Sequence, residues 1–144
     1  MRLTLYTDYA MRTLLHLGAR PEELCSIAEI ARGHGISQNH LMKVVNELGR
    51  AGFVASLRGR SGGIRLARPA AEINVGAVVR RMEEDFDLAD CGHCVIAPAC
   101  GLSLVLGEAL GAFLAVLDRY TLADLLGRRQ EMLRLLIGEG AAPA

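Results

Sequence analysis

A chain of 144 residues is the size of one domain with room for a short appendage, and 51% hydrophobic residues with only 4% aromatic ones lean towards a helical core. The 16 basic residues balance the 16 acidic ones, yet residues 1–80 hold 11 Lys/Arg against 6 Asp/Glu while residues 81–144 hold 5 against 10, so only the front half is expected to meet a polyanion. Asp8 and Arg12 exclude a signal peptide at the start, and Glu108 interrupts the most apolar later run, 101–117; no membrane association and a cytoplasmic location are expected.

Tyr6, Ala10, Leu14 and Leu17 recur at helical spacing and predict a first helix over 4–18, ended by Gly18. Ser26 and Glu29 form a capping box at the start of a second, short helix, and Gly33 and Gly35 bracket the tight turn after it. Ser37 caps a third helix whose apolar positions Leu41, Val44, Val45 and Leu48 lie on one face. Helix, glycine-containing turn and helix make a helix-turn-helix. Gly52 ends the third helix, 53–57 reads as a strand, 58–63 as a basic Gly-rich turn and 64–66 as the return strand. That hairpin is a wing. From Lys43 to Arg68 there are six basic residues and a single acid, Glu47. The partner expected from this half is double-stranded DNA. Ser37, Gln38, Asn39, His40 and Lys43 occupy the first turns of the recognition helix, where amides suit adenine and lysine suits guanine or phosphate. Arg58, Arg60, Ser61, Gly62 and Gly63 form the wing tip, where arginines follow a phosphate backbone and glycines admit close approach.

Asn74 caps a fourth helix that runs to Met82, and the acidic run 83–87 reads as a solvated turn. Leu102, Val105, Leu106, Ala109, Leu110, Phe113, Leu114 and Leu117 then make an apolar stripe that must be buried against something. Gly107 and Gly111 would let a partner helix approach closely, and a homodimer is expected. Thr121 and Asp124 resemble a capping box that starts a last helix towards Ile137. The fold class is therefore mainly α: a winged helix-turn-helix domain over 1–83, a cysteine loop over 84–101, a long dimerisation helix and C-terminal helix over 102–137, and a flexible tail over 138–144.

Three of the four cysteines, Cys91, Cys94 and Cys100, fall within ten residues. The spacing is not the paired CxxC of a zinc ribbon, and a redox dithiol usually accompanies a βαβ pattern, which is absent. Reduced thiolates on a loop suit an iron–sulfur cluster, which can take a weaker ligand at its last position. Cys25, His93, His34, Asp8 or no protein group could complete the set. Cys25, between Leu24 and Ser26, reads more simply as a small buried apolar residue.

MRLTLYTDYAMR at the start, SIAEIARGHGISQNHLMKVVNELGRAG, RGRSGGIRLA in the wing, and CVIAPACGL followed by EALGAFLAVLDRYTLADL together resemble the Rrf-type winged-helix regulators, and within them a nitric-oxide-sensitive branch. The likeness covers residues 1–127. It implies a homodimeric transcriptional repressor that binds near-palindromic operators through recognition helix and wing. In that branch the sensor of nitric oxide is an iron–sulfur cluster, commonly [4Fe-4S], held by three loop cysteines, which match Cys91, Cys94 and Cys100. In some members an aspartate near the N-terminus of the partner subunit completes the set, and the aspartate of TDYA here is Asp8. Relatives that sense iron or cluster status can carry a histidine where Ser103 stands or an asparagine where Asp8 stands. The gap between Cys91 and Cys94 is shorter than in the nitric-oxide branch, which keeps [2Fe-2S] as the alternative cluster.

Overall fold

A computed structural model describes residues 1–138 and shows six α-helices and one two-stranded antiparallel sheet. Helix α1 (Leu5–Ala19) starts at Thr4, whose hydroxyl accepts from the Thr7 N–H. Gly18 does not end it. That glycine is buried within the last turn, and a Cβ there would lie 2.7 Å from Leu126 Cδ1, so its absence lets the C-terminal segment pack close.

Helices α2 (Ile27–His34) and α3 (Gln38–Arg50) start at Ser26 and Ser37, whose hydroxyls accept from the Glu29 and His40 amides. Only half of the expected capping box forms at α2, because the Glu29 carboxylate turns to Arg20 instead. Strands β1 (Val54–Leu57) and β2 (Gly63–Leu66) pair from Val54 with Leu66 to Leu57 with Gly63. Cys25 bridges Ile64 by two backbone hydrogen bonds of 3.0 and 2.8 Å, tying the chain before α2 to the sheet. Helix α4 (Val75–Met82) begins at Asn74, whose side chain accepts from Ala77 N–H at 2.9 Å.

The core lies where α1, α2, α3 and α4 meet: Leu14, Ile30, Leu41, Val44, Leu48, Val78 and Leu122 have no exposed surface. Each such side chain contributes about 1.5–3 kcal/mol relative to leaving it in water. Leu122 reaches that core from the far end of the sequence. The Leu122 N–H donates to Ile73 O at 2.8 Å, Val75 N–H donates to Tyr120 O at 3.0 Å, and Arg129 Nε donates to Ala19 O at 2.8 Å.

Between α4 and the long helix α5 (Leu102–Leu117) the chain makes two short 3-10 turns, Cys91–His93 and Ala97–Ala99. No residue of α5 is buried. Its apolar stripe is divided: Leu106, Leu110, Leu114 and Leu117 are half-covered, while Leu102, Val105, Ala109, Phe113 and Val116 are exposed on a separate face. The Thr121–Asp124 box does form in both directions, yet it starts only a single 3-10 turn, Ala123–Leu126. Leu122 is drawn into the core and Gly127 follows, so α6 (Arg129–Leu136) begins independently. The tail read over 138–144 lies, but for Gly138, outside the described residues. No helix among the described residues is long and apolar enough to cross a membrane.

Candidate DNA-binding face and cysteine loop

Burying Leu41, Val44, Val45 and Leu48 turns the opposite side of α3 outward. Gln38, Asn39 and Lys43 stand on that exposed side together with Met42, Asn46 and Arg50, which the sequence reading missed. Their spacing from Gln38 and Asn39, one, two and three turns on, was the available signal. Ser37 is exposed, but its hydroxyl is engaged as the cap. His40 is half-buried, its ring set edge-on to Tyr9 with centroids 4.9 Å apart, so it also packs α3 on α1.

At the wing tip Arg58, Arg60 and Ser61 are exposed, and neither arginine forms an ion pair among the described residues. Glu47, the one acid in this stretch, is already countered by Arg81 at 2.7 Å and Arg50 at 3.8 Å. Gly62 and Gly63 serve the hairpin itself. A Cβ on Gly62 would come 2.1 Å from Leu57 O, and one on Gly63 would come 2.8 Å from Cys25 O. Arg68, exposed beside the hairpin, lies over the Phe53 ring, 5.2 Å from its centroid. A groove between α3 and β1 is lined by Ile27, Met42, Val45, Asn46, Gly49 and Ser56, with Lys43 and Arg50 as its charged groups.

Cys91, Cys94 and Cys100 are free thiols on a partly to fully exposed loop. Successive i to i+3 hydrogen bonds run from Cys94 N–H to Cys91 O, from Ala97 N–H to Cys94 O and from Cys100 N–H to Ala97 O. The loop ends at the start of α5, where Gly101 offers no side-chain cap and Leu102 N–H donates to Cys100 Sγ at 3.4 Å. Unpaired amides at a helix start favour a negative group such as a thiolate or an anionic cluster. Among the described residues the three sulfurs do not form a set of donors within 4.8 Å of one another. Three reduced, accessible thiols are chemically suited to an iron–sulfur cluster, whose irons take thiolate ligands.

Of the groups weighed as a fourth ligand, Cys25 is fully buried, His34 lies against His16, and His93 is held by Asp90 at 2.8 Å. Asp8 is half-exposed in the first turn of α1, and Arg12 grips both its oxygens at 3.0 and 2.9 Å. Within one chain it joins no loop thiol in a three-donor set. The residue that does connect α1 to the cysteine loop is Glu83, the first of the acidic run read as a solvated turn. Its carboxylate accepts from the Thr4 N–H and hydroxyl and from the buried Thr7 hydroxyl, fastening the start of α1 to the point where the loop leaves α4.

A winged helix-turn-helix with an unpaired cationic wing and a thiol-bearing loop after its fourth helix defines a DNA-binding transcriptional regulator. The chain belongs to the Rrf2 family, described as "Iron-dependent Transcriptional regulator", whose pattern matches residues 3–128. Relatives include the HTH-type transcriptional regulator NsrR of Bacillus subtilis, 51% identical over 94% of this chain and 97% of that protein, and NsrR of Geobacillus kaustophilus, 52% identical over the same shares. Among solved structures, T. potens IscR is 29% identical with a TM-score of 0.72 over 88% of this chain and 86% of that one. Oxidized Staphylococcus aureus CymR is 26% identical with a TM-score of 0.74 over 88% and 97%.

Proposed function

We propose that the protein is a homodimeric repressor that binds operator DNA through α3 and the wing, carries an iron–sulfur cluster on Cys91, Cys94 and Cys100, and releases DNA in response to nitric oxide. The observation that carries this reading is the placement of three free thiols between the winged helix and an uncovered apolar helix. Support comes also from relatives named NsrR at about half identity across nearly the whole chain.

When bound, a cluster of the [4Fe-4S] type supplies iron that nitric oxide attacks, most readily where the ligand is a carboxylate rather than a thiolate. Asp8 of the partner subunit is the proposed fourth ligand. Bound to iron, Asp8 would leave Arg12; released, it would return to the ion pair with Arg12 that α1 shows here. That exchange moves a charge within the first turns of α1, and α1 packs directly on α3 and α4. Asp8 held on iron and Asp8 paired with Arg12 would give α1 two arrangements, a two-state element that a ligand would bias, as a switch requires.

Anaerobically purified protein is expected to be brown, with visible absorbance bleached by nitric oxide and operator retardation lost over the same titration. A colourless anaerobic preparation holding stoichiometric zinc would overturn the cluster. Asp8→Ala is expected to keep the fold and change cluster lifetime or nitric oxide reactivity; if neither changed, Asp8 would be only a carboxylate favouring the helix start. The two-residue gap between Cys91 and Cys94 favours a second reading, a [2Fe-2S] sensor of iron or redox status. Iron and sulfide counts with electron paramagnetic resonance of the reduced form separate the two.

A further inference from the structure

Away from the cysteine loop, α1, the segment before α2 and α2 itself bring His16, Cys25 and Glu29 together, with one donor atom of each within 4.8 Å of the others. His16 is 3% exposed and Cys25 is fully buried. The Nδ1 of His16 lies 3.3 Å from His34 Nε2, but its Nε2 is buried with no hydrogen-bond partner among the described residues. Either tautomer leaves that nitrogen unsatisfied, as an orphaned donor or an orphaned lone pair. With the shared proton on Nδ1 and donated to His34, the ring has the outer hydrogen bond that metal-bound histidines carry.

We propose that His16 Nε2, Cys25 Sγ and one Glu29 carboxylate oxygen hold a single divalent late first-row metal ion, zinc by donor chemistry, in every chain. Imidazole, thiolate and carboxylate are the zinc donors, and three of them leave a fourth tetrahedral position for water. Arg20 engages Oε1 of Glu29 and leaves Oε2 without a partner among the described residues. Desolvation, then His34 and Arg20, hold the His16 pKa down to about 4, so the ring is neutral and its lone pair available at physiological pH. Burial raises the Cys25 thiol, so the ion must displace its proton: the S–H bond breaks, the S–metal bond forms, and the proton leaves to solvent. Dication, thiolate and carboxylate sum to zero charge, and the Arg20 guanidinium that engages Glu29 Oε1 beside Cys25 adds one positive charge at the partly exposed edge of the site. Because Cys25 also bridges Ile64 of β2, the ion would pin α1, α2 and the base of the wing to one another.

This site is independent of the iron–sulfur reading and is tested where the loop thiols cannot interfere. In the full chain carrying C91S, C94S and C100S, Cys25 is the sole cysteine. Cobalt(II) titration is expected to give one ion per chain with a near-ultraviolet thiolate-to-cobalt band, and zinc(II) should compete it away and raise Tm. Cys25→Ala should abolish the band, and His16→Gln or Glu29→Gln should weaken cobalt binding about tenfold or more. A folded triple variant that shows no band and retains no cobalt overturns the site, as does a His16→Gln variant that binds as tightly as its parent. Should the triple variant not fold, the native chain is titrated in the same way after alkylation of its accessible loop thiols. A band at one cobalt per chain then supports the site, and its absence overturns it.

Discussion

Glu83 is the residue on which the start of α1 depends. A helix N-terminus carries unpaired amides and a partial positive charge, and Glu83 answers both with one carboxylate, accepting from the Thr4 N–H and from two threonine hydroxyls. Thr7 is fully buried, and its hydroxyl shares its hydrogen bonding between Glu83 and the Thr4 hydroxyl at 3.2 Å. Glu83→Gln keeps the shape and removes the charge; a loss of roughly 0.5–2 kcal/mol is expected, a Tm drop of a few degrees. Glu84→Gln, at an exposed neighbour without such contacts, serves as the control and should melt like the parent. The helix starts at Ser26, Ser37 and Asn74 were legible in the sequence because each cap bonds an amide three residues on. Glu83 was not, because its partners lie up to 79 residues away and nothing local marks it.

At the scale of elements, the recognition helix and wing were legible because their signals are local: an apolar period, a cap, a run of glycine and arginine. What escaped was set by packing. Met42, Asn46 and Arg50 belong to the outward face of α3, His40 is drawn against Tyr9, and Gly18 lies inside α1, where its missing Cβ leaves room for Leu126. The cysteines were plain as a cluster, but their relation to Asp8 was not, since one chain does not hold both on the same site. The wing tip yields a sharper test. Gly62 lies where a Cβ would meet the Leu57 carbonyl oxygen, a backbone atom that moves only with the strand. Gly62→Ala is therefore expected to distort the hairpin and weaken operator binding about tenfold or more, with a stability loss of ~1–3 kcal/mol. Arg60→Ala should leave stability unchanged and reduce the salt dependence of binding by about one counterion. Retardation assays across a salt series distinguish the two effects.

The whole molecule shows an imbalance that a single chain does not resolve. The domain core is closed, with Leu122 returning from the C-terminal side to complete it, yet the sixteen residues of α5 contribute nothing buried. Leu102, Val105, Ala109, Phe113 and Val116 follow helical spacing along one exposed face, a continuous apolar stripe of the kind that marks an interface. A second copy offers the same stripe, and an isologous pairing of two α5 helices would cover both while setting two recognition helices against a two-fold operator. It would also bring the cysteine loop of one subunit, at the head of α5, towards the other subunit, from which the proposed Asp8 ligand would come. Val105 is 60% exposed, so Val105→Glu costs the isolated chain little but would place two like charges in an apolar interface. The expected outcome is a monomer by sedimentation with unchanged far-ultraviolet circular dichroism. Operator affinity should fall by ~100-fold or more as the second half-site contact is lost. The same variant should also assemble a less stable cluster under anaerobic conditions, because a ligand supplied across the dimer leaves with the partner. A Val105→Glu protein that stayed dimeric would place the interface elsewhere, and a monomer that kept a cluster of parental stability would remove Asp8 from the ligand set.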